Sequence, residues 1–121
     1  PGPLTAATGL DAMVHAIEAC SAKSSNSVVQ AFGLHAIRLI SQNLEKTFEQ
    51  PQDLDARAKL LMASTLAGMA IDASGTGIAH AIGHALGTIA GIQHGRAAAL
   101  ALDVVFLKNA ASPVPGRSHF S

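Results

Sequence analysis

Apolar side chains in this chain recur at three- and four-residue steps, and no run of useful length alternates one by one. That period belongs to helices with one buried face, and it leaves little room for a sheet. The clearest run is Ser27 to Glu49, where Val29, Phe32, Ala36, Ile40, Leu44 and Phe48 share a stripe. Asn26 is placed to cap its start, and Pro51 ends it. A first helix is read over Thr5 to Ala22, with Leu10, Val14 and Ile17 on one face. Thr5 or Thr8 would cap it, and Gly9 weakens its opening turn by ~1 kcal/mol relative to Ala. Lys23 to Asn26 is a polar break. Asp53 opens a third helix to about Ala73, with Leu54, Leu61, Met62, Leu66 and Met69 expected inward. Ser74 to Gly77 breaks the chain again. Ile78 to about Ala90 is a short fourth helix, Gly91 to Gln93 a turn, and His94 or Gly95 to about Asn109 a fifth. The expected fold class is all-α, a helical bundle-like domain over residues 1–111. The stretch 112–121, with Pro113, Pro115 and Gly116, has no pattern and is expected to be a loose tail.

Composition narrows the partners. The chain is 49% hydrophobic and only 13% charged. So thin a polar surface predicts an apolar face that packs on a second domain, a second subunit or both, with a homodimer or larger assembly expected. A formal net charge of zero argues against nucleic acid, which needs a basic patch. The most apolar stretch, Gly77 to Leu102, holds three histidines and Arg96, so it is not a membrane span. A lone cysteine, Cys20, cannot form an internal disulfide. A buried, inert thiol and a cytoplasmic location are expected. The start Pro1-Gly2-Pro3, without Met or signal peptide, is what a piece of a longer protein would show.

Two clusters could carry chemistry. Four residues of helix turn through ~400°, so Asp11 and His15 share a face one turn apart. A carboxylate and an imidazole so placed can hold a divalent cation, or simply bond to each other. His80 and His84 share a face in the same way. Their spacing resembles the zinc-protease motif, but Ala81 and Gly83 stand where a general base would be needed. His94 lies fourteen residues after His80, ~21 Å away on a straight helix, so one shared ion would require the chain to double back. Gly87, Gly91 and Gly95 make such a turn inexpensive. The alternative is three unrelated histidines held in separate hydrogen bonds. Spacing alone does not choose between His84 and His94. Glu18, one turn after His15, could orient that imidazole or cap a neighbour. His35 is expected on an exposed or hydrogen-bonded helix face, His119 in the tail, and Met13, Met62 and Met69 as core filler.

The segment Thr5-Ala-Ala-Thr-Gly-Leu-Asp-Ala-Met-Val-His-Ala-Ile-Glu18 resembles one signature of the iron-containing alcohol dehydrogenases. Gly77-Ile-Ala-His-Ala-Ile-Gly-His-Ala-Leu-Gly87, running on to His94-Gly95, resembles the other, in the family's order and over roughly residues 3–110. The resemblance implies a metal held by Asp11, His15, His80 and His94, usually Fe²⁺ with Zn²⁺ possible. It implies that His84 lies near the nicotinamide and the substrate, as a catalytic and cofactor-binding residue that helps a proton leave. It also implies an alcohol or aldehyde substrate and NAD or NADP. The family's N-terminal α/β nucleotide-binding domain is absent here. Gly75-Thr-Gly77 is a helix break with no strand before it, not a dinucleotide loop. The chain departs from the family at Asp103-Val104, where many members have Pro-His, at Gln93 in place of a common Pro, and after Ala111. Three other readings stand beside this one: a non-catalytic metal-binding fragment, a helical structural piece without metal, and a relative akin to maleylacetate reductase or hydroxyacid–oxoacid transhydrogenase.

Overall fold

The computed structural model describes residues 2–111. It is all-α, with α1 over Gly2–Ser21, α2 over Ser27–Glu49, α3 over Leu54–Ser74, α4 over Ile78–Ala90 and α5 over His94–Ala110. No strand occurs among the described residues. The tail expected from Ser112, with His119, lies outside them.

Local chemistry sets most of the boundaries. The Asn26 side chain accepts from the Val28 and Val29 amides and caps α2, as expected. Asp53 caps α3 by accepting from the Ala56 amide. Its other oxygen pairs with Lys46 at 2.7 Å, which ties the end of α2 to the start of α3. The first helix begins at Gly2 rather than near Thr5, so neither threonine caps it. Thr8 instead returns its hydroxyl to the Leu4 carbonyl inside the helix. Gly9 therefore lies within α1, where a Cβ would fall 2.4 Å from a Leu44 methyl.

α1 packs on α2, α3 and α5, while α4 packs chiefly on α5. Three core clusters follow, of which two flank the candidate site. One joins Ala12 and Ala16 of α1 to Ala36 and Ile40 of α2 and to Ala63 and Ala67 of α3. The other joins Val14 of α1 to Ala79 of α4 and to Ala98, Ala101 and Val105 of α5. Both are alanine-rich, so backbones approach closely while little apolar area is buried per residue.

The inward face of α3 is the largest departure from expectation. Ala56, Ala63, Ala67 and Ala70 face the core, with Leu66 half-buried, whereas Leu61 is 71% and Met62 55% exposed, and Leu54 and Met69 are also exposed. Met62 and Met69 are therefore not core filler, although Met13 is half-buried against the first cluster. The physical reason is size. An alanine seam lets α3 come close to α1 and α2, and large side chains at those positions would hold it off. Leu10 and Phe48, assigned to inward stripes, are likewise exposed.

Candidate metal centre

The centre forms where α1 meets the starts of α4 and α5. One helical turn separates Asp11 from His15, and His15 Nδ1 lies 3.7 Å from Asp11 Oδ2. His80 is the third residue of α4 and is buried, with Nε2 3.6 Å from Asp11 Oδ1. His94 opens α5 and brings its Nε2 to 3.3 Å from the same oxygen. The His15 and His80 rings stack with centroids 4.2 Å apart, and the His94 ring lies 5.6 Å from that of His80. Donor atoms of Asp11, His15 and His80 all lie within 4.8 Å of one another, a spacing one ion can bridge.

Glycines make this meeting possible. Gly91 adopts the left-handed conformation, with φ 64°, and reverses the chain between α4 and α5. Gly95 lets the start of α5 press on α1, because a Cβ there would lie 2.0 Å from the Ala7 carbonyl oxygen.

Two polar atoms of the centre, Asp11 Oδ1 and His80 Nε2, are buried without a hydrogen-bond partner. Leaving a buried polar atom unpaired costs about 1–3 kcal/mol, so such atoms ask for an explanation. A divalent cation supplies one, and a carboxylate with three imidazoles is a donor set that suits Fe²⁺ or Zn²⁺.

His80 is oriented from behind. Its Nδ1 donates to Glu18 Oε2 at 2.6 Å, so Glu18 serves His80 and not His15. Sequence reasoning left the partner of Glu18 open. Its place on the Asp11–His15 face, inside apolar surroundings, was the signal available. His84 is exposed one turn beyond His80, its ring centroid 4.8 Å from that of His94. His35 is exposed on α2, away from the centre. Cys20 is half-buried rather than fully buried as expected, and burial pushes its thiol pKa up.

Charges in the centre are coupled. The Asp11 carboxylate and then Glu18 pull the His80 pKa up from 6.5 to about 9, against the effect of burial. Burial, followed by the charge of His80, pushes His15 down. Burial alone would raise Asp11 and Glu18, but His80 and the other positive neighbours or backbone amides outweigh it, and both end low. The consequence for the metal-free chain has a definite sign. His80 contributes stability in full below pH 6.5 and loses it as pH climbs through about 9. His15, Asp11 and Glu18 contribute above their ordinary values and lose that contribution as pH falls. The chelator-treated chain is therefore expected to be most stable near pH 6.5 and to lose on the order of 3 kcal/mol on going to pH 9.5. Urea titrations at the two values check this, and equal midpoints would refute the coupling.

Comparison with known proteins agrees with the fold. Residues 5–118 match the model of the Fe-containing alcohol dehydrogenase family, C-terminal part. The 1,3-propanediol dehydrogenase of Citrobacter freundii is 45% identical over 105 residues, which are 87% of this chain and 27% of that protein. The crystal structure of an iron-containing alcohol dehydrogenase from Thermotoga maritima superposes with a TM-score of 0.85 at 38% identity, covering 90% of this chain and 30% of that one. Sulfoacetaldehyde reductase from Bifidobacterium kashiwanohense, in complex with NAD+, superposes with a TM-score of 0.86 at 34% identity, over 90% and 29% of the two chains. The chain thus spans little more than a quarter of the length of these relatives.

Proposed function

Since this chain belongs to the Fe-containing alcohol dehydrogenase family, matching its C-terminal part, we propose that it supplies the metal-binding half of the active site of a metal-dependent, NAD(P)-linked alcohol dehydrogenase. The observation that carries this reading is the facing pair of buried, unpartnered atoms, Asp11 Oδ1 and His80 Nε2, with His15 and His94 beside them. Asp11, His15, His80 and His94 would hold the ion, Fe²⁺ by family and Zn²⁺ as the alternative. When bound, the cation supplies Lewis acidity toward the oxygen of a small alcohol or aldehyde.

The chain's own residues do the rest. Three helices fix the four ligands, so the polarising charge is placed before substrate arrives. His84, exposed beside His94, carries a proton between the site and solvent as a general acid or base. NAD or NADP would be held by the part of the family's length that this chain does not span, and would supply the hydride chemistry. The exposed Leu54, Leu61, Met62 and Met69 offer a surface for that part or for a second copy in a homo-oligomer. No described helix is long and apolar enough to cross a membrane. A cytoplasmic setting belongs to the same reading and is supported by the single, unpaired Cys20.

The test is metal content and turnover of the full-length protein, including the part that this chain does not span, purified without oxygen. About one divalent ion per chain is expected by elemental analysis. Oxidation of small primary alcohols with NAD or NADP should disappear on chelation and return with Fe²⁺. Undiminished turnover in metal-stripped protein, or no uptake of Fe²⁺ or Zn²⁺, would overturn the proposal.

A further inference from the structure

Glu18 is 3% exposed. A buried carboxylate is costly unless every lone pair is engaged. Glu18 meets that condition with four donors from one direction. Oε1 accepts the amide of Ala79 at 2.7 Å and that of His80 at 3.3 Å. Oε2 accepts the amide of Gly77 at 2.9 Å and Nδ1 of His80 at 2.6 Å. Three of these donors are the free amides that open α4, a helix with no side-chain cap of its own and no acidic residue in its first turn. Gly77 admits the carboxylate, because a Cβ there would lie 2.7 Å from Oε1. The same side chain therefore caps α4 from another helix and fixes the ring of a residue at its start. With Nδ1 donating to a carboxylate, the ring presents Nε2 toward Asp11.

We propose that Glu18 is a positioning residue for the metal centre: it locks the tautomer and ring direction of His80 and makes the order of the first turn of α4 part of the same contact. This rests on the metal-centre reading above. The carboxylate touches neither substrate nor cofactor, and it acts only through His80 and the α4 amides.

The experiment uses the full chain, Co²⁺ as the metal probe, and the variants Glu18→Gln and Ile40→Val. Gln is isosteric, but it lacks the charge, and its amide nitrogen cannot accept. Glu18→Gln is expected to weaken Co²⁺ binding 10–100-fold and to shift the visible ligand-field spectrum. In metal-free protein it should also speed hydrogen exchange at the Ala79 and His80 amides. Ile40→Val trims the α1–α2–α3 core cluster, which contains none of the four candidate ligands, and should leave Co²⁺ affinity within twofold of wild type. If Glu18→Gln loses its helical circular dichroism, Glu18→Asp carries the test, because it keeps the charge but not the reach. Affinity within twofold of wild type in the Glu18 variant overturns the proposal, as does an equal loss in Ile40→Val. Wild-type protein that takes no Co²⁺ overturns the metal-centre reading itself, a result distinct from either.

Discussion

Replacing His80 with Ala in the full-length protein is expected to abolish bound metal and turnover together, and to cost about 3 kcal/mol of stability near pH 6.5. The first effect follows from position, since His80 Nε2 faces Asp11 at the middle of the donor cluster. The second follows from what the change leaves behind. Glu18 keeps its three backbone amides but loses its shortest contact, the 2.6 Å bond from Nδ1. Asp11 loses the neighbour that does most to hold it ionised. Removing one partner of a buried pair is far more damaging than the worth of the pair itself, because an uncompensated charge remains. Elemental analysis, steady-state turnover and urea titration read the three effects. A metal-free His80→Ala protein with full turnover would sink the metal assignment, and unchanged stability would sink the account of Glu18.

Gly95→Ala is expected to be nearly as damaging, although it adds one methyl group and removes no ligand. The new Cβ would sit 2.0 Å from the Ala7 carbonyl oxygen, 2.8 Å from its carbon and 3.1 Å from Asp11 Cβ. The first two obstacles are backbone, so no rotamer change relieves them. α5 must move away from α1, and it takes His94, the preceding residue, with it. Overpacking of this kind costs about 3 kcal/mol at its upper range. Metal affinity should fall at the same time, because His94 Nε2 is 3.3 Å from Asp11 only while α5 is pressed home. Gly68 is the natural control. It lies exposed within α3, and nothing comes within 4 Å of its added Cβ. Gly68→Ala should be neutral or stabilise by up to about 1 kcal/mol, since alanine is the better helix former. Equal urea midpoints for Gly95→Ala and wild type would show that the α1–α5 contact is looser than described.

The helices were legible in the chain because their breaks are chemically loud. Asn26, Asp53 and Gly91 each do locally what their side chains, or lack of one, dictate. The face of α3 was not legible. Leucines and methionines surround the helix along with alanines, so the apolar pattern has no single direction, and the choice fell to how closely α1 and α2 approach. A ranking by side-chain size points to Leu61 and Met62, whereas close packing selects Ala63 and Ala67.

The centre divides in the same way. Asp11 with His15 is a matter of helical turn and could be read directly. His94 could not be placed by spacing, because its position depends on the reversal at Gly91 and the close approach at Gly95. The structure sets it against Asp11 and leaves His84 exposed beside it. The partner of Glu18 was out of reach for a related reason. His80 is 62 residues away in sequence, and only the docking of α4 on α1 brings the two together.

Among the described residues, α1 is the one helix that touches both halves of the molecule; α2 and α3 share no packed face with α4 and α5. The α4–α5 hairpin is therefore moored along a single seam, through small side chains such as Ala79, Ala98 and Ala101. Asp11 and His15 stand on one side of that seam, His80 and His94 on the other. A cation held by all four would act as a second rivet, beside the Glu18 hydrogen bonds to α4, between two bodies that otherwise meet on shallow alanine contacts. Loss of the rivet leaves the hairpin as the cheapest part of the fold to open. On the proposed reading, metal content would govern the breathing of this half of the molecule as well as its chemistry.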